Sequence, residues 1–123
     1  MRILGFEKKW PKLERAKFTT FRFPRKDRDW QVGEEVQIVY KPRSKDREVL
    51  GTAKITGKAQ RQVGTVDPQR VITREEAIAD GFSGYFDMAD WLYLHYGDRI
   101  FNEVINRLSL TWAMKLINKG GKK

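Results

Sequence analysis

The sequence contains no cysteine and a single histidine, His95. The first absence excludes a disulfide framework and any thiolate metal site, and the second excludes a histidine-rich metal centre. A Ser-His-Asp triad would have to use His95, and no G-x-S-x-G elbow supports one. No glycine-rich phosphate loop of Walker or Rossmann form is present, so no nucleotide cofactor motif is read, and no metal or other cofactor is expected. No apolar run approaches the length needed to span a bilayer. Met1 to Phe6 is too short and too soon interrupted by charge to read as a signal peptide. The expectation is a soluble, cytoplasmic protein with no membrane partner.

What the chain does have is core-forming residues and positive charge. A hydrophobic fraction of 40% with four tryptophans over 123 residues suits one packed domain. We read that domain over 1–118, followed by a flexible basic tail at 119–123. The net charge is +9, and it is unevenly placed. Residues 1–61 hold 17 Lys or Arg against 8 Asp or Glu, whereas 62–123 hold 8 of each. Charge confined to one half suits a surface that meets a polyanion. The densest run is Arg15, Lys17, Arg22, Arg25, Lys26 and Arg28, flanked by Phe23 and Trp30. Cations along one path can neutralise phosphates, and the rings can offer a face to an unstacked base. These residues, Trp30 included, are the candidate nucleic-acid site. The alternative is a solvated loop that Asp27 and Asp29 partly neutralise. A second basic set, Lys41, Arg43, Lys45 and Arg47, reads as a soluble hairpin tip.

Strand signals come first along the chain. Arg2 to Phe6, Phe18 to Phe23, Val36 to Tyr40 and Val49 to Thr56 carry strand patterns bounded by Gly, Pro or charged loops. Pro11 precedes a short helical turn at Lys12 to Ala16. The pattern then changes. Thr73-Arg74-Glu75-Glu76 is a capping box that opens a helix to Asp80, stopped by Gly81. A second helix spans Tyr85 to Tyr96, with Phe86, Ala89, Leu92, Tyr93 and Tyr96 as its apolar stripe and Gly97 as its stop. A polar connection leads to a closing strand, Arg107 to Leu116. The predicted fold is α+β: a small barrel of about five to six mostly antiparallel strands with two or three short helices at one end. Trp10, Trp91, Trp112 and Tyr93 read as core or core-edge residues. Trp91 and Tyr96 have a second reading, lining a cleft at the barrel mouth.

Four stretches in this order resemble the activating signal cointegrator homology (ASCH) domain of the PUA-like barrel superfamily. Arg15 to Arg22 is similar to the G-x-K-x-x-T/E-x-R signature, and Gln31 to Val36 to the x-x-G-D-x-V strand start. Ala77 to Phe82 is similar to an A-x-x-E/D-G-F helix end. The helix with Trp91 and Tyr96, followed by a strand ending near Trp112, completes the match over about Ile3 to Ala113. Two departures stand out: the residue before the lysine is Ala16, and the Gly-Asp pair is Gly33-Glu34 here. The resemblance implies a PUA-like barrel that binds RNA or a modified nucleoside. It also implies an enzymatic alternative, because some small bacterial members are amidohydrolases on N4-acetylcytidine that use a Lys, a Thr and a Glu, and others are described as ribonucleases.

Carried over by motif, Lys17, Thr20 and Asp80 become the candidate catalytic residues. A lysine with a depressed pKa can take the proton of a threonine hydroxyl, and a carboxylate can serve the leaving amine. Asp80 stands where those enzymes carry Glu, one C–C bond shorter, roughly 1.5 Å. Strict alternation sets Thr20 and Arg22 on one strand face and Lys17 on the other, so this use needs a bend before Phe18. In the binding alternative, Lys17 and Arg22 hold phosphate or a base edge, and Asp80 pairs with one of them in a cleft between the Lys17–Arg22 strand and the Asp80–Phe82 turn. A third reading uses the acidic stretch Asp67–Glu103 as a protein-interaction face.

Overall fold

The structure, a computed structural model, describes residues 1–116, so the tail expected at 119–123 lies outside the described residues. Five strands form one mixed sheet: β1 (Arg2–Phe6), β2 (Lys17–Arg22), β3 (Glu35–Tyr40), β4 (Glu48–Arg61) and β5 (Ile105–Lys115), in the spatial order β1-β3-β4-β5-β2. Only β1 with β3 is parallel, and every other pair is antiparallel. Register shifts between Ile38 and Val39, Thr52 and Ala53, and Ile55 and Gly57 mark irregularities in the ladders. Shifts of this kind locally increase strand bend and twist. The sheet curls into a half-barrel whose edge strands, β1 and β2, do not pair. Side chains bridge them instead, with the Phe6 and Phe18 rings 6.3 Å apart.

A 3-10 turn, Pro11–Glu14, joins β1 to β2, and three helices fill the gap between β4 and β5: α1 (Arg74–Ala79), α2 (Tyr85–Tyr96) and α3 (Arg99–Asn102). The α1 capping box forms as its sequence predicts. The Thr73 hydroxyl accepts from the Glu76 amide, and the Glu76 carboxylate accepts from the Thr73 amide. α3 lies within the stretch read as a polar connection. It has four residues and one buried apolar side chain, Ile100, too little for a periodic signal.

Two apolar clusters follow from this arrangement. One fills the concave side of the sheet, with Leu4, Phe18, Val36, Ile38, Ile55, Leu108 and Leu110. The other packs the helices onto the sheet through Phe21, Met88, Leu92, Ile100 and Ile105, and Trp10 touches both. The stripe of α2 is rotated from its predicted position. Met88 and Leu92 are buried, whereas Phe86 is 80% and Tyr93 51% exposed. Tyr93 is therefore a surface residue. The packed face runs through Met88 and Leu92, with Tyr85, Ala89, Trp91 and Tyr96 partly buried beside them.

Candidate functional site

A cleft of about 780 Å³ opens between the unpaired sheet edges. Ile3, Gly5 and Phe6 of β1 form one side, and Thr20, Phe21 and Arg22 of β2 the other. Lys12 from the 3-10 turn, Asp80 and Phe82 from the turn after α1, and Trp91, Leu92, His95 and Tyr96 from α2 complete its floor and back wall. Lys8, Arg25, Arg43 and Arg47 add positive charge to the lining, against Glu7 and Asp80 as the carboxylates.

The deepest polar feature is an ion pair. Lys12 Nζ donates to Asp80 Oδ1 at 3.0 Å, with the two side chains only 3% and 7% exposed. Thr19 Oγ1 donates to the same oxygen at 3.1 Å. Burial pushes the Asp80 carboxyl up from its ordinary value, although Lys12 beside it works the other way. Burial pushes the Lys12 ammonium down, opposed by Asp80 and reinforced by the positive charges of Arg22 and Arg15. Both shifts narrow the gap between the acid and the amine. The 3-10 turn positions Lys12 because Pro11 starts it and buried Leu13 anchors it. Gly81, at φ +113°, lets the chain turn immediately after Asp80 and beneath Trp10.

Arg22 lines the same cleft as this pair. Its Nε donates to Thr20 Oγ1 at 3.1 Å, and its guanidinium carbon sits 4.6 Å from the Phe6 ring centre. Burial lowers its pKa, with Tyr96 and Asp80 acting in the opposite direction. An arginine keeps its charge under such shifts. No carboxylate of the described residues lies within 4.0 Å of it, so the cation lines the cleft without a direct ion-pair partner, and Asp80 acts on it only at longer range. The back wall is aromatic. Trp10, Phe82 and Trp91 pack mutually at centroid distances of 5.3–5.8 Å, and His95 stacks on Trp91 at 3.9 Å.

The sequence-predicted residues fall into separate places. Thr20, Arg22 and Asp80 line the cleft together, joined by Arg25. Lys17 does not. β2 pairs with β5 in unbroken register from Lys17 to Arg22, so there is no bend before Phe18, and Lys17 stays exposed outside the cleft lining. The lysine beside Asp80 is Lys12, which corrects the expected pairing of Asp80 with Lys17 or Arg22. Trp30 is 4% exposed, packed beneath Arg2 at 4.6 Å, and offers no face to a base. Arg15 donates to the Ala79 carbonyl, and Arg28 lies 3.7 Å from Glu34. Neither they nor Lys26 line the cleft. The loop carrying Arg28 is held down by Arg2, which donates to the Arg28 and Asp29 carbonyls and pairs bidentately with Glu34. Asp29 in turn accepts from Lys58 and Asn106.

Arg43 and Arg47, read as part of a soluble tip, line the cleft, as do Trp91 and Tyr96 on their second reading. Lys12 and His95 carried no local sign of membership, because their partners in the cleft come from distant segments. No family model, curated protein or solved structure matches the chain. Among the described residues, no helix is long and apolar enough to cross a membrane.

Proposed function

We propose that this chain is a binding module for RNA or a nucleotide, held in the cleft between β1 and β2. The observation that carries the reading is Arg22, a cation held by Thr20 and Phe6, lining a cavity and lacking a direct ion-pair partner among the described residues. A charge so placed is stabilised by an incoming anion, and a guanidinium suits the bidentate geometry of phosphate. Arg25, Arg43 and Arg47 extend the positive lining, and the Trp10–Phe82–Trp91 wall supplies apolar surface beside it. That combination fits a ligand with a phosphate at one end and a flat ring at the other. The ASCH-like stretches agree with the same ligand class.

Fluorescence anisotropy of a labelled single-stranded RNA at rising salt tests this. The expected result is binding that weakens steeply with salt. Absence of binding at low salt, or binding indifferent to salt, rejects it.

A hydrolytic use of the same cleft is favoured by one observation, the presence of Thr20 and Asp80 together in its lining. Incubation with N4-acetylcytidine and with labelled RNA, beside Asp80→Asn, discriminates the two. Turnover lost in the variant supports the enzyme, and RNA retained intact supports the binding module.

A further inference from the structure

We propose that Lys12 is a carbonyl-reactive amine, placed to form an imine with an aldehyde that carries a nearby phosphate. The proposal rests on the reading of the cleft as an anion site. It assigns a use to the Lys12–Asp80 pair, which the binding of a polyanion leaves unexplained. A buried lysine–aspartate pair brings little net stability, because desolvation of both ions offsets their attraction.

Three features of the surroundings favour amine chemistry. Lys12 is removed from water, its side chain 3% exposed, with the Phe6 and Trp10 ring centres 5.7 Å and 5.6 Å from Nζ. Arg22 and Arg15 place positive charge nearby. Desolvation and an adjacent cation are the two conditions that make a lysine nucleophilic at neutral pH. Finally, Asp80 is the proton acceptor the ammonium needs. Its hydrogen bonds from Lys12 and Thr19 both fall on Oδ1, and Oδ2 has no partner among the described residues.

The step balances within this group. The Lys12 ammonium passes one proton to Asp80, leaving a neutral amine and a carboxylic acid. Nζ adds to the aldehyde carbon, and protonated Asp80 gives its proton to the carbonyl oxygen as the N–C bond forms. Nitrogen then passes one further proton, through Asp80, to the resulting hydroxyl, which departs as water. The C=N bond keeps the third proton as an iminium, and Asp80 is again a carboxylate. No oxidant or reductant is involved. Arg22 holds the phosphate, so the carbonyl is presented to one amine rather than to the many exposed lysines.

Two sources share this chemistry: a free sugar phosphate in its open-chain form, and an abasic sugar within a nucleic-acid strand. The experiment treats the protein with ribose 5-phosphate, or with an oligonucleotide bearing one abasic site, in the presence of sodium cyanoborohydride. Peptide mapping by mass spectrometry then locates the reduced adduct. The expected result is one adduct per chain, on Lys12, forming about tenfold faster than on exposed Lys17 or Lys26. Inorganic phosphate should slow it, and Asp80→Asn should reduce it. Labelling spread over exposed lysines with Lys12 bare overturns the proposal, and this needs only the wild-type protein. Labelling by the abasic strand at the lower concentration identifies a nucleic-acid source, and labelling by ribose 5-phosphate alone a free one. Intact RNA is titrated in parallel. RNA binding with Lys12 unlabelled rejects the amine and spares the binding module. Lys12 labelled by ribose 5-phosphate without RNA binding does the reverse.

Discussion

The Arg22 guanidinium lies 4.6 Å from the centre of the Phe6 ring, so a cation on one unpaired sheet edge rests on an aromatic from the other. The contact spans the opening of the half-barrel at the level of the cleft. It also fixes the guanidinium plane without consuming its charge, which a carboxylate partner would do. Cation–π contacts of this kind contribute roughly 0.5–2 kcal/mol.

Arg22→Gln should weaken binding of single-stranded RNA and reduce the slope of log affinity against log salt by about 1, the signature of one lost phosphate contact. Arg22→Lys should keep much of the slope but lose affinity, since an ammonium cannot reproduce the planar fork. Anisotropy titrations at four or five salt concentrations check both. A slope unchanged in Arg22→Gln would place the phosphate elsewhere.

The Lys12–Asp80 pair allows a stability test that is independent of any ligand. Lys12→Met leaves the Asp80 carboxylate buried without its partner and should cost about 3–5 kcal/mol. Asp80→Leu strands the ammonium at a similar cost. The double substitution Lys12→Met/Asp80→Leu removes both charges and should return to within about 1–2 kcal/mol of the wild type. Urea denaturation of the four proteins measures the cycle. Single-variant losses that simply add in the double variant would show that the pair is not energetically coupled.

These two positions show how unevenly the site was legible. Arg22 and Thr20 sit on a strand whose alternation and terminal proline are local signals, and β2, Lys17–Arg22, forms one residue before the stretch they mark. Alternation sets Lys17 on the face away from Thr20 and Arg22, and in the structure Lys17 is exposed and outside the cleft, although Thr19 two residues on reaches Asp80. Asp80 was placed by the capping box and Gly81 on either side of it. Its partner was not legible, because Lys12 lies 68 residues away on a turn with no periodicity. Trp30 misled for a related reason. A tryptophan inside a charged run resembles a stacking platform, and only the fold shows Arg2 closing over it. The rotation of α2 was also beyond reach, since a helix rich in aromatics all round offers several stripes and tertiary packing selects one.

Acid should destabilise the protein through Glu34. Its carboxylate accepts from Arg2 Nε at 2.7 Å and Nη2 at 2.6 Å, and this bidentate bond holds its pKa below the ordinary 4.5. A carboxyl whose folded-state pKa is depressed contributes stability that is present above its unfolded value and lost as pH falls through its folded value. Thermal unfolding followed from pH 7 to pH 2 should therefore show a loss beginning below about pH 4.5. Glu34→Gln should lower stability at pH 7 by about 1.5–3 kcal/mol, the range for a hydrogen bond to a charged group. It should also flatten that part of the acid limb. An acid limb as steep in the variant as in the wild type would assign the effect to other carboxylates.

Gly81 ties backbone conformation to the shape of the cleft. Its φ of +113° is one that residues with a side chain rarely adopt. A Cβ built there would stand 3.1 Å from Trp10 Cε3, closer than ordinary van der Waals contact. Gly81→Ala therefore meets two penalties, backbone strain and a displaced Trp10 ring, and should cost about 1–3 kcal/mol. Because Trp10 packs on Phe82 and Trp91 in the cleft wall, the substitution should also alter tryptophan fluorescence and weaken RNA binding. Asp80 immediately precedes the strained residue, so its hold on Lys12 should loosen as well. Gly81→Ala that matched the wild type in both stability and emission would mean that the turn relaxes without moving Trp10. In that case the cleft wall would owe its shape to α2 rather than to the turn.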